Sequence, residues 1–279
     1  MSDEHDPIAT AGDDEATEMT NIEVVAVDEH GDARGVEEAR AAKTLALGLA
    51  ALPELEMRQS AFLRYLHERD AAAVVPVLAR IQQLGRKGGP PFDVALLAMA
   101  STLSRDLVPY EALAELYRAA KDGGFATLGQ LFFSGGGHEQ PPPEPRDRDE
   151  QRLLTLGHRK TMARSTDRDV LDRLLRDPEV PVVHNLLENP RLVERDVVQL
   201  AARRPTDPEV QRVIFSSRRW ICRYAVKRAL VLNPYTPTEL AIRLLGFLTS
   251  MDLKLVRQTP TLSETVRQAA EQLATDRQR

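Results

Sequence analysis

The chain has few of the residues that build covalent or metal-based stability. Its 279 residues include one cysteine, Cys222, so no internal disulfide and no cysteine-built metal site is available, and a lone thiol suits a reducing compartment. Aromatic residues make up 5% of the chain against 42% hydrophobic residues overall. Alanine, leucine and valine are left to fill the core, as suits closely packed helices. No apolar run is long: Leu45–Leu52 and Val94–Ala100 fall well short of the ~20 residues that span a bilayer. Met1 is followed by acids rather than by a basic stretch and an apolar core, so neither a secretory signal nor a membrane partner is expected, and the chain reads as cytoplasmic. The signatures H-E-x-x-H, C-x-x-C, the Walker lysine loop and G-x-S-x-G are also missing. The expectation is a protein with no catalytic residues, no metal and no cofactor.

What the chain does have is an uneven distribution of charge. Residues 1–40 hold 13 acids and 2 bases, residues 41–150 hold 14 and 12, and residues 151–279 hold 15 and 23, within a total of −5. An acidic arm therefore precedes a basic C-terminal half, an asymmetry that bears on association rather than on fold.

Residues 1–36 are rich in Asp, Glu, Gly and Thr, the composition of a disordered arm. The island Ile22, Val24, Val25 and Val27 reads as a docking peptide or as a segment folding back on the first helix. From about Ala39 the apolar period is helical. Leu55, Phe62, Leu63 and Leu66 share a face, Ala71–Leu84 is a helix with a break or kink expected at Pro76, and Gly85–Gly89 reads as an inter-helix loop. Ser134–Asp149, with its triple glycine and Pro141-Pro142-Pro143, reads as a linker. The division is then a disordered acidic arm (1–36), an N-terminal helical domain (37–133), a linker (134–149) and a helical repeat domain (150–279).

Repetition marks that last domain. Thr166/Asp169, Thr206/Glu209, Thr236/Glu239 and Thr261/Glu264 are each spaced by three before an apolar stripe, the signature of a capping box. Four in succession predict one supersecondary unit stacked into an all-α, HEAT-like solenoid. Helix starts fall near 166, 193, 206, 236 and 261, an irregular spacing. Asn189-Pro190 and Asn233-Pro234 end two helices, because the residue before proline is pushed out of helical geometry.

At Asn233-Pro234-Tyr235-Thr236-Pro237-Thr238-Glu239-Leu240, and in weaker form at Asn189-Pro190-Arg191-Leu192, the chain resembles the leucine-rich repeat variant family over about its last third. The resemblance implies a stack of short helices. Some members carry an iron–sulfur cluster on an N-terminal cysteine group, which one cysteine makes inapplicable, and the family implies no shared enzymatic activity.

The remaining chemistry lies in Arg203–Arg228, where eight bases face two acids. The candidate residues for binding an acidic partner are Arg204, Arg212, Arg218, Arg219, Trp220, Arg223, Tyr224, Lys227 and Arg228. Arg219, Arg223 and Lys227 are four apart, a basic ridge if Arg219–Leu232 is one helix. Two readings stand: a solvated arginine face with two core-filling aromatics, or a ridge for an acidic partner. That partner is expected to be another protein; nucleic acid, with Trp220 or Tyr224 stacking on bases, is the alternative. The acidic arm is a third possible occupant. Among the histidines, His67 beside Glu68 and Asp70 cannot converge with them on one atom, and His184/Glu188 reads as an exposed pair lacking a third group. Brief proteolysis is predicted to cut first within Ser134–Asp149 or residues 1–36; first cleavage inside Pro205–Leu248 would overturn this domain division.

Overall fold

The computed structural model describes residues 33–104, 107–132 and 154–278. The first 32 residues of the predicted arm, with the island Ile22–Val27, and the whole of the predicted linker lie outside the described residues. Within them every regular element is helical and no strand occurs. The N-terminal helices are α1 (Ala33–Ala50), α2 (Leu55–His67), α3 (Ala71–Leu84), α4 (Pro90–Ser104), α5 (Tyr110–Asp122) and α6 (Ala126–Phe132). The C-terminal ones are α7 (Leu156–Met162), α8 (Arg168–Leu174), α9 (Val180–Glu188), α10 (Glu194–Ala202), α11 (Pro208–Ser216), α12 (Arg218–Ile221), α13 (Tyr224–Val231), α14 (Thr238–Leu245), α15 (Ser250–Gln258) and α16 (Glu264–Asp276).

In the N-terminal bundle, α1 starts six residues before the predicted onset of helical period, so residues 33–36 belong to a helix rather than to the arm. Ala42, Ala46 and Leu49 form its buried face and pack on α3 and α4. Small side chains there let the helices approach closely. Phe62 of α2 is 1% exposed and joins the same core, a burial worth about 1.5–3 kcal/mol. Helix α3 runs through Pro76 without ending. Its apolar side chains Val74, Val75, Leu78 and Ile81 are buried among neighbouring helices, and this packing offsets the hydrogen bond that proline removes. The glycine-rich segment forms a 3₁₀ turn, Gly85–Gly88, ended by Gly89 at φ 81°.

In the C-terminal half, chain neighbours such as α8/α9, α10/α11 and α15/α16 pack as pairs. Helices further along then stack side by side: α7 on α9, α9 on α11, α10 on α13, and α14 on α16. The predicted helix Arg219–Leu232 is two helices, α12 and α13, separated by Cys222 and Arg223 in a non-helical junction. The two pieces serve different neighbours, α12 packing on α11 and α13 on α10, and this tertiary demand overrides a continuous helical pattern.

None of the four predicted threonine caps is used. The N-caps of α8, α11 and α16 are Asp167, Asp207 and Ser263, whose side chains accept from Asp169, Glu209 and Val266 N–H; that of α14 is Pro237, with no side-chain cap. The helix starts are nevertheless within three residues of those expected. Where proline occupies the first helical position, as Pro208 does, the residue before it becomes the cap. Thr236 instead donates to Leu230 O at 2.6 Å, serving the C-terminal end of the preceding helix α13.

The Asn-Pro closures have a specific structural function. Asn189 Nδ2 donates to Ala163 O and Ser165 O at 2.8 Å each, and its Oδ1 accepts from Arg191 N–H at 2.8 Å. Asn233 repeats the arrangement on Ala201 O (2.7 Å), Arg203 O (2.9 Å) and Tyr235 N–H (3.0 Å). Each asparagine is buried, so one amide satisfies the carbonyls that end an earlier helix and the turn that follows its own. The Thr259 hydroxyl of Thr259-Pro260 instead donates locally, to Leu255 O of α15 at 2.7 Å.

The bundle and the array share one contiguous apolar core. Helix α6 packs on α14 and α16, and α14 also meets α4. Thr127 donates to Asp276 at 2.7 Å across this seam. Arg277 donates to Gln83 O (3.1 Å), Leu248 O (2.6 Å) and Gly246 O (2.5 Å). Burial pulls its guanidinium down to about 10, which leaves it charged at neutral pH. Gly85, at φ 44°, sits so close that a Cβ there would strike Gly246 O and Arg277.

Replacing Asn233 with Ala strands two carbonyls and one N–H in a buried turn and is expected to cost about 2–3 kcal/mol. Amide exchange should quicken in α10 and α13–α14 and stay unchanged in α1–α2. A uniform change across the chain, or a loss under about 0.5 kcal/mol, would contradict the bridging role.

Candidate functional site

The structure places the predicted ridge residues on separate elements and gives most of them partners inside the molecule. Arg219 donates to Asn189 O (2.9 Å), Pro190 O (3.4 Å) and Leu192 O (3.2 Å), and its guanidinium lies 4.4 Å from the centre of the Trp220 ring. Arg204 donates to Leu232 O. Just upstream, Arg203 donates to Asp177 O at 2.6 Å. A guanidinium suits such work because its planar fork of five donors can serve several carbonyls at once, and its charge complements the negative end of a helix.

The other ridge residues meet acids. Arg212 pairs with Glu209 (2.9 Å) and Glu239 (2.5 Å), Arg228 with Asp252 (2.8 Å), and Arg223 with Glu194 (3.9 Å). Arg218 pairs with Glu56 of α2, so part of the ridge faces the N-terminal bundle. Arg86, from the glycine-rich turn, lies 4.4 Å over the Tyr224 ring. Tyr224 donates its hydroxyl to Asp252. Burial alone would raise the Asp252 pKa, but hydrogen bonds from Tyr224 and Arg228 hold it below the usual carboxylate value.

The three residues predicted to form one basic face do not do so. Arg219 is on α12, Arg223 is the N-cap of α13, and Lys227 is only 6% exposed, its ammonium 4.0 Å over the Phe247 ring. Burial lowers the Lys227 pKa; Asp93 and Cys222 oppose that and Arg86 adds to it. Trp220 is 4% exposed and donates Nε1–H to Leu187 O at 2.9 Å. Neither aromatic offers an open face for stacking on a base. His184 and Glu188 are both exposed, as expected of a surface pair. Among the described residues no group of three His, Cys, Asp or Glu side chains is placed to hold a metal ion.

A second basic cluster was not predicted. A groove of about 730 Å³ runs between α8 and α10, with Arg168, Arg176, Arg191, Arg195, Asp172 and Asp196 in its lining. Arg168 is spoken for: it bonds both oxygens of Asp196 (2.6 and 2.5 Å) and pairs with Asp172 at 2.6 Å. Asp196 is 2% exposed and also accepts from Val193 N–H at 3.0 Å, capping α10. The Arg168 hydrogen bond, with that cap, holds the Asp196 carboxyl below its ordinary pKa despite burial.

Arg176, Arg191 and Arg195 are exposed, and among the described residues none of them forms an ion pair. Val193, between two of them, is 51% exposed. The sequence signal was faint, because these arginines are scattered singly over twenty residues that also contain acids. Only the fold gathers them, by placing all three along one groove.

Comparison with family models, with curated proteins and with solved structures finds no match for this chain. The residues themselves therefore carry the functional argument.

Lys227 provides a test of the electrostatics. Below its lowered folded pKa, both folded and unfolded chains hold the proton, and the folded state bears the full cost of a buried charge. As pH rises toward about 10.4, the unfolded chain keeps the proton longer, so stability should rise with pH. Lys227→Met should be at least as stable as the parent at pH ~7 and should lose that rise, read by denaturant unfolding at two pH values. A loss above about 2 kcal/mol at neutral pH would show that the ammonium stabilises the fold.

Proposed function

We propose that the chain is a HEAT-like α-solenoid, akin in its Asn-Pro closures to the leucine-rich repeat variant family, and that it works in the cytoplasm as a non-enzymatic scaffold binding another protein. Solenoids present extended surfaces in which each repeat contributes a few side chains, which suits binding rather than bond-making. The partner's surface is acidic. One observation carries this reading: most arginines of the array are spent on carbonyls and carboxylates inside the fold, whereas Arg176, Arg191 and Arg195 are gathered around one groove and have no ion pair among the described residues. Uncompensated like charges brought together cost stability, and an acidic partner recovers that cost on binding.

Nucleic acid is the weaker reading. Base stacking on single strands needs accessible aromatic faces, and Trp220 is buried while Tyr224 is covered by Arg86 and bonded to Asp252.

The immobilised full chain should retain a discrete protein from nuclease-treated native lysate at about 0.15 M salt and release it as salt rises. Oligonucleotides should not shift at that ionic strength. Retention that disappears on nuclease treatment, or an oligonucleotide shift of comparable strength, would replace this reading with the nucleic-acid one.

A further inference from the structure

The scaffold reading leaves open where the acidic partner sits, and two local choices at α10 bear on that. Helix N-termini favour Ser, Thr, Asp or Asn at the cap, and valine is among the poor choices. The cap of α10 is Val193, half-exposed and extended at φ −114° and ψ 162°. Cations at that end meet the positive pole of the peptide dipoles and are unfavourable. Arg191 lies just before the cap and Arg195 is in the first turn. The first turn also holds the acids Glu194 and Asp196, the latter accepting from the Val193 N–H; Val193 and Arg195 are the departures from that pattern, and such local conflicts concentrate where a surface has another use.

The three open arginines also come from different segments. Arg176 follows α8, Arg191 lies in the α9–α10 connection, and Arg195 is on α10. Their convergence is therefore a product of the stack and not of one helical face. The groove's own carboxylates offset them only in part: Asp172 and Asp196 both hold Arg168, and of the three open arginines only Arg195 acts on Asp196. A groove of about 730 Å³ is within the size range of ligand-binding clefts.

We propose that the α8–α10 groove docks an extended acidic segment of a partner protein, its carboxylates on Arg176, Arg191 and Arg195 and an aliphatic side chain against Val193. This rests on the scaffold reading and names its site. Guanidinium forks match carboxylates in pairs of parallel hydrogen bonds. The half-exposed Asp172 at the rim opposes a phosphate chain carrying a full charge at every unit, whereas an acidic peptide can place an uncharged residue there.

The probe is a labelled synthetic peptide of about twelve residues, ~40 Å when extended, alternating glutamate and valine, titrated onto the full chain. Its controls are the same peptide with glutamine for glutamate and a single-stranded oligonucleotide. The triple variant Arg176→Gln, Arg191→Gln and Arg195→Gln should weaken the glutamate peptide by about tenfold or more. An equal charge loss elsewhere, Arg173→Gln with Arg257→Gln and Arg267→Gln, should cost less than about threefold, and the glutamine peptide should not bind.

Val193→Ser separates binding from folding: a better cap should raise the melting temperature while the loss of the aliphatic contact weakens the peptide. Equal binding to parent and triple variant overturns the groove assignment, as does an oligonucleotide that competes as well as the peptide. If the triple variant still retains the lysate protein at full strength, the groove assignment alone fails. If the parent chain retains no protein at all, the scaffold reading fails with it.

Discussion

The constraint on which this molecule depends is the supply of donors to helix C-terminal carbonyls. Most helices of the array are seven to nine residues long, and every helix leaves its last four carbonyls without an intrahelical partner. In so short a helix that is about half the acceptors. Buried carbonyls left unpaired are costly, so donors must come from elsewhere in the chain. For helix ends and the turns that follow them, they do: Asn189, Asn233, Arg203, Arg204, Arg219, Trp220 and Arg277 all reach carbonyls 24 to 33 residues distant, with Arg277 extending further to Gln83. The same reach recurs in carboxylate pairs, Arg168 to Asp196 and Arg212 to Glu239. These contacts tie segments about 24 to 33 residues apart into one packed structure.

This constraint accounts for part of the basic character of the C-terminal half. Arg203, Arg204, Arg219 and Arg277 answer a backbone requirement and many others pair with carboxylates, and a count of charges along the chain cannot separate those demands from an invitation to a partner. The separation needs the fold. Once the engaged arginines are set aside, the arginines of that half left without an ion pair among the described residues are those of the α8–α10 groove, upstream of the Arg203–Arg228 stretch to which composition alone points.

The parts legible in the sequence are those with short-range causes. Apolar periodicity located α2 and α3, and glycine and proline marked the turn after α3 and the ends of α9 and α13. The caps were misplaced by one or two residues because Asp167, Asp207 and Ser263 stand beside the threonines and have the same capping chemistry. The break at Cys222-Arg223 has no glycine or proline to announce it; it follows from Arg219 and Trp220 being anchored on the end of α9 while Tyr224 begins a helix that packs elsewhere. The burial of Lys227 was equally hidden, since a lysine in a polar-looking run gives no hint of a phenylalanine twenty residues on.

The seam held by Arg277 also sets an order of events. Its bond to Gln83 joins positions 194 residues apart, and at translation rates of about 5–20 residues per second the later residue emerges roughly 10 to 40 s after the earlier one. Within that interval, from completion of α6 at Phe132 until α14 begins at Thr238, the faces of α4 and α6 that will meet α14 and α16, including Leu96 beside Gly246, are complete but uncovered. The nascent N-terminal bundle thus carries an adhesive surface while much of the C-terminal half is still being made, and the newborn chain is most prone to aggregation or chaperone capture in that window.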